Sequence, residues 1–175
     1  MIIDLNKDLN KLYELHVGDV VELKGTIYTA RDAAHMRLEG MLKNNEALPV
    51  DFNNALIYYA GPTPAKPGQV IGSIGPTTSS RMDKFAYMMP KLNIIATIGK
   101  GPRDEACTKE YIKNKTLYFI TTGGCGALLA KSVKKAEEIA FFDLGPESIK
   151  RLEVDGFKMI CAIDAFGNNI FDLKE

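Results

Sequence analysis

Three short apolar runs restrict the fold of this chain more than any other feature. They are ALIYYA (55–60), LNIIATI (92–98) and TLYFITT (116–122), rich in β-branched and aromatic side chains. Each reads as a buried strand. A turn rich in Gly or Pro follows each run: GPTP, GKGP and GGCG. A helical stretch comes after each turn, over 79–89, 103–114 and 127–133, with Pro90 ending the first and Pro102 suited to the first turn of the second. Strand, loop and helix repeated three times predict an α/β arrangement of parallel strands, because parallel neighbours need a crossover.

The flanks add β structure. VVELKGTIYT (20–29) reads as a strand interrupted by Gly25. RDAAHMRLEGMLKNN (31–45) reads as a helix, with Ala34, Leu38 and Leu42 at four-residue spacing on one face. Residues 69–74, 139–144 and 156–164 read as further strands, and FGNN (166–169) as a hairpin turn. The first fifty and last thirty residues look the more strand-rich. There is no internal repeat, low-complexity tract or linker, so residues 1–175 are expected to form one α/β domain with additional β structure at both ends.

Charge and cysteines narrow the function. Lys plus Arg and Asp plus Glu balance at 22 each, without the clustered basic excess that nucleic acid or an anionic membrane surface requires. No apolar run approaches the roughly 20 residues that span a bilayer. The opening MIIDLNKDLNKL is too charged for a signal-peptide core, so the expected location is the cytoplasm. Cys107, Cys125 and Cys161 are odd in number and widely spaced, with no C-x-x-C pair. Free thiols are therefore expected, and no autonomous zinc site.

Ligands of parallel α/β sheets sit beyond the carboxyl ends of the strands. Four loops at that level carry polar or flexible residues: TARDAAH (29–35), GPTTSSRMD (75–83), GKGPRD (99–104) and TTGGCG (121–126). If their strands are neighbours, the loops converge. A cation in a helix's first turn opposes the helix dipole, so Arg31 suggests a bound anion; a surface arginine paired with a local carboxylate is the plain alternative. His35, four residues on, is either part of that site or a satisfied structural histidine. Thr77 or Thr78 can cap the next helix, and Arg81 one turn later makes a carboxylate or phosphate clamp with it, unless it is simply solvated. Lys100 adds a point charge in a turn of ordinary Gly/Pro composition. Neither GKGPRD nor TTGGCG has the spacing of a Walker or dinucleotide loop. Three cations with a threonine hydroxyl suit a small dianion such as a dicarboxylate. They leave the source of an electrophile open.

GTIYTARDAAH, YYAGPTPAKPGQVIGSIGPTTSSRMD and ATIGKG, in this order, resemble the β subunit of two-subunit class I fumarases and L-tartrate dehydratases. The same region forms the C-terminal domain of single-chain class I fumarases. The later VKKAEEIAFFDLGPESIKRLEVDGFKMICAIDAFGNNIF fits the same family, so the resemblance spans roughly residues 18–171. It implies the swivelling β/β/α fold and reversible hydration of a carbon–carbon double bond, as between fumarate and L-malate. It implies a 4Fe–4S cluster whose three cysteine ligands lie on a partner α subunit, so no metal ligand is expected here and Cys125 is expected to bind no iron. The assembly would be a heteromer with that α subunit, α2β2 being one such form. By position, Thr77 matches the proton-transfer residue, and Arg31, Arg81 and Lys100 match substrate-binding cations. His35 shares Arg31's motif and is grouped with the substrate-binding residues, without an assigned role. L-Tartrate dehydration is the alternative activity, and a non-catalytic dicarboxylate-binding domain the alternative of another class.

Overall fold

The computed structural model describes residues 1–173. Seven strands form one sheet: β1 (Ile2–Asp4), β2 (Val20–Thr29), β3 (Ala55–Tyr58), β4 (Ile94–Gly99), β5 (Leu117–Ile120), β6 (Val133–Ala140) and β7 (Ile149–Ile163). Their order is β1-β2-β3-β4-β5-β7-β6, with β7 also paired to β2. That extra pairing closes β2, β3, β4, β5 and β7 into a five-stranded barrel. The neighbours β2, β3, β4 and β5 run parallel, as expected for the three buried runs that form β3, β4 and β5, and β7 runs antiparallel to both β2 and β5.

The crossovers are α1 (Asp32–Lys43), α2 (Met88–Lys91), α3 (Glu105–Asn114) and α4 (Gly126–Ser132). Side chains alternate along each strand, so one strand feeds two cores. Leu56, Tyr58, Ile98 and Phe119 join one apolar cluster with Leu23 and Phe157. Ile57, Tyr59, Ile94 and Tyr118 face the other way, against Leu38, Met88 and Tyr111 of the helices.

Several boundaries depart from the expectations, each for a local reason. Residues 69–74 are not a strand. Ser73 bonds to Thr63 in the preceding loop and Ile74 to Gly126 at the start of α4, and both sides of β3 are already occupied by β2 and β4. The stretch after Thr78 is a 3-10 helix (Ser79–Phe85) followed by α2, which carries Pro90 within it. α3 starts at Glu105 because the Asp104 carboxylate accepts the Cys107 N–H at 2.7 Å and caps the helix there. Pro102 and Arg103 therefore precede it. β6 begins at Val133 rather than 139; its Lys- and Glu-rich face is exposed, as suits an edge strand. β7 begins at Ile149 rather than 156. Gly156, at φ +79°, is an inserted residue opposite the Leu23–Lys24 step, a bulge within the strand rather than its start.

Candidate active site

The carboxyl ends of β2, β3, β4 and β5 lie side by side, and the four polar loops leave from them. Thr77 is tied to β3: its N–H donates to the Tyr59 carbonyl at 2.7 Å, and the residue is half-buried. Thr78 is exposed and pairs through its backbone with Lys100 at the end of β4. The Ser79 N–H donates to the Lys100 carbonyl at 3.0 Å, and the Lys100 N–H donates to Ser79 Oγ at 3.0 Å. A methyl group on Gly123 would lie 3.9 Å from Lys100 Nζ, so the loop after β5 reaches the same place. The Thr121 N–H donates to the Gly99 carbonyl at 2.9 Å.

Arg31 and Arg81 meet over one carboxylate. Asp32 Oδ2 lies 3.4 Å from Arg31 Nε, and Asp32 Oδ1 lies 3.3 Å from Arg81 Nε. Glu147 adds a second carboxylate, 3.2 Å from Arg31 Nε, and accepts the Ala33 N–H at 3.4 Å, which caps α1 from outside. Arg37 holds the segment carrying Glu147 through a bidentate pair with Asp143, at 2.7 and 2.8 Å. The structure thus brings Arg31, Arg81, Lys100 and Thr77 to one end of the barrel.

His35 stands beneath Arg31. It is 2% exposed, between the rings of Tyr59 and Phe85. Its Nδ1 is 2.8 Å from the Arg31 carbonyl, which can only accept, so Nδ1 carries the proton. Burial lowers its pKa from 6.5 to about 4. The unfolded chain therefore takes up a proton at a higher pH than the folded one. Stability contributed by neutral His35 is complete above the unfolded pKa and falls as pH drops from about 6.5 to 4, by roughly 3 kcal/mol. In urea titrations from pH 7 to 4.5, His35→Gln is expected to flatten this fall. An unchanged pH slope would remove His35 as its source.

A buried polar cluster supports the site from below, and reading the residues did not find it. The Arg103 side chain is fully buried, packed against the rings of Tyr59, Tyr111 and Tyr118. It pairs with Asp83, whose other oxygen accepts the Asp104 N–H at 2.8 Å, and it donates to the hydroxyls of Thr97, Tyr111 and Tyr59. Tyr118 Oη lies 2.7 Å from both the Gly101 carbonyl and Ser79 Oγ. The carbonyl only accepts, so Tyr118 donates to it and Ser79 donates to Tyr118. A chain of bonds then runs from the Lys100 N–H through Ser79 and Tyr118 to Gly101. Gly99 leaves room for it: a methyl there would come 1.9 Å from Ser79 Oγ.

The thiols do not form a metal site. Cys107 and Cys161 are buried, and burial pushes both up to about 12. The half-buried Cys125 thiol donates to the Thr122 carbonyl. Among the described residues, no group of three or more His, Cys, Asp or Glu side chains could hold a metal ion. The described residues therefore offer no ligand set that fits an iron–sulfur cluster. No helix among the described residues is long and apolar enough to cross a membrane.

The chain is thus an α/β protein with a five-stranded barrel, and two arginines, a lysine and a threonine gather at its strand ends. Residues 1–174 match the family described as Fumarase C-terminus. The chain is 46% identical over 172 residues to a putative L(+)-tartrate dehydratase subunit beta of Methanocaldococcus jannaschii, covering 95% of this chain and 87% of that one. It is 36% identical over 164 residues to the L(+)-tartrate dehydratase subunit beta of Escherichia coli, covering 91% of this chain and 80% of that one. It is 34% identical over 175 residues to the aerobic class I fumarate hydratase of E. coli, covering 97% of this chain but 32% of that one. The chain belongs to the fumarase C-terminal family. It spans most of the separate β subunits and about a third of the fumarate hydratases it matches. Its relatives are hydro-lyases.

Proposed function

We propose that this chain is the β half of an iron–sulfur hydro-lyase that reversibly hydrates fumarate to L-malate and is active only with an α subunit. The observation that carries this reading is the convergence of Arg31, Arg81, Lys100 and Thr77 at the carboxyl ends of adjacent parallel strands. The relatives named as β subunits support an α partner. The domain is then of the swivelling β/β/α type.

In this reading the substrate is a small dicarboxylate. The two guanidinium forks and the Lys100 ammonium hold its carboxylates. The Thr77 hydroxyl moves the proton at the substrate carbon, donating it during hydration and removing it during dehydration. Removal requires an alkoxide, which Arg81 and Lys100 stabilise once the partner excludes water. His35 contributes by fixing the Arg31 backbone, not by touching the substrate. A 4Fe–4S cluster would be held by the α subunit rather than by this chain, and would supply Lewis-acid chemistry when bound.

Dehydration of L-tartrate is the second reading, favoured by the two relatives named as tartrate dehydratase subunits. One experiment separates the readings: anaerobic co-expression with an α-type chain, following fumarate by its ultraviolet absorbance with L-tartrate in parallel. Fumarate turnover that needs both chains supports the first reading, and tartrate turnover alone supports the second. Turnover of neither by an enzyme with a loaded cluster supports a dicarboxylate-binding role. In the assembled enzyme, Arg81→Ala is expected to raise KM by about 10- to 100-fold through loss of a charge-assisted contact. Unchanged KM and kcat would remove Arg81 from the clamp.

A further inference from the structure

The geometry points to Asp32 as the residue that positions the two-arginine clamp, holding Arg81 in place for the substrate. This rests on the proposed dicarboxylate site. Asp32 uses one oxygen for each arginine, Oδ2 at 3.4 Å from Arg31 Nε and Oδ1 at 3.3 Å from Arg81 Nε. Both contacts engage the inner nitrogen of the guanidinium. A guanidinium has five N–H donors, of which only one is on Nε. The outer four on each arginine make no hydrogen bond among the described residues and are open to a ligand, in the fork geometry that matches a carboxylate.

The two arginines depend on Asp32 unequally. Arg31 also has Glu147 at 3.2 Å, and its side chain is 26% exposed. Arg81 is 56% exposed, and Asp32 is its only ion-pair partner among the described residues. A long side chain at such a site samples many rotamers, and ordering it when a ligand binds opposes binding. Asp32 does that ordering in advance. It also sits between two like charges that would otherwise repel each other in the empty site. Its place in the first turn of α1 suits an acidic side chain, because the helix dipole favours negative charge there. Asp32 itself is not a ligand for the substrate. Its carboxylate would repel a dicarboxylate, so it acts through the arginines.

Two measurements test this. In the full chain, the Arg81 Nε–H group is followed by nitrogen relaxation. It is expected to be rigid in the parent and mobile in Asp32→Ala, with Asp32→Asn as the variant of conserved volume. Equal mobility in all three would overturn the proposal whether or not the chain is an enzyme. The assembled α/β enzyme then gives a double-mutant cycle between Asp32→Ala and Arg81→Ala, read as KM and kcat for whichever diacid turns over. Asp32→Ala alone is expected to raise KM about 10-fold with a smaller change in kcat, and to add no more than about 2-fold in the Arg81→Ala background. Additive effects would show that Asp32 serves α1 and not Arg81. If the parent enzyme turns over no diacid, the functional reading fails, and the relaxation result still decides the role of Asp32.

Discussion

Under the proposed function, Thr77→Ala in the enzyme assembled with an α chain is expected to lower kcat by about 10²- to 10⁴-fold, the usual contribution of a positioned acid or base, with KM changed far less. Thr77 is well placed for this. Its N–H is held by the Tyr59 carbonyl at 2.7 Å, so its backbone is fixed to the end of β3. Next to it, Thr78 pairs with Lys100, which keeps the ammonium on the same side of the barrel. Alanine removes the hydroxyl and leaves these backbone bonds and all the cations in place. Binding should therefore survive while proton transfer fails. Thr77→Ser keeps an oxygen at the same branch point and is expected to recover most of the rate. If Thr77→Ala retains the parent kcat, the proton is moved by another group, and Thr77 contributes only shape.

The second large effect is on stability. Arg103→Met is expected to cost about 3–5 kcal/mol, read as a lower urea midpoint with an unchanged slope. The reason lies in what is left behind. Asp83 is 4% exposed at its side chain, and its other oxygen accepts one backbone N–H, that of Asp104. Without the guanidinium it becomes a buried charge with no counter-ion, and Tyr59 and Tyr111 lose a donor. Replacing both members, as Arg103→Met with Asp83→Leu, is expected to recover much of the loss, because two well-packed apolar side chains require no compensation. If Arg103→Met has no effect on the midpoint, Asp83 has found another partner or water. This pair also bears on function. Asp83 shares its 3-10 helix with Arg81, and Arg103 follows Lys100 by three residues, so one buried ion pair ties two site loops together.

The parallel half of the barrel was legible because β3, β4 and β5 are buried on both faces, and such strands appear as uninterrupted apolar runs. The convergence of the four loops followed from that, together with the rule that ligands meet strand ends. The start of β6 is hidden in the sequence because VKKAEEIA carries an edge strand's charges, which mask its period. Gly156 reads as a boundary in the sequence, because a bulge glycine and a turn glycine look alike until the opposite strand is known. Within the site, Arg31, His35, Thr77, Arg81 and Lys100 were visible as residues, and the relations among them were not. That Asp32 reaches Arg81 as well as its neighbour Arg31, and that Arg103 faces inward onto Asp83, depends on pairs far apart in the chain. The one local sign was Asp104, a good capping residue, which would have put Arg103 outside the helix.

Barrel closure by β7 also has a consequence for how the protein is made. β2 pairs with β7 along its whole length, from Val20 with Ile160 to Thr29 with Lys150. A ribosome adding about 5–20 residues per second reaches that partner roughly 6–30 s after it has finished β2. For that interval one long margin of a strand carrying Val21, Leu23 and Ile27 has no neighbour, although the parallel strands on its other side can already assemble. The nascent chain thus presents an open β edge late into synthesis, when another copy or a chaperone can reach it. Lys24, Glu22 and Gly25 interrupt that margin with charge and a kink, a protection the finished barrel no longer needs.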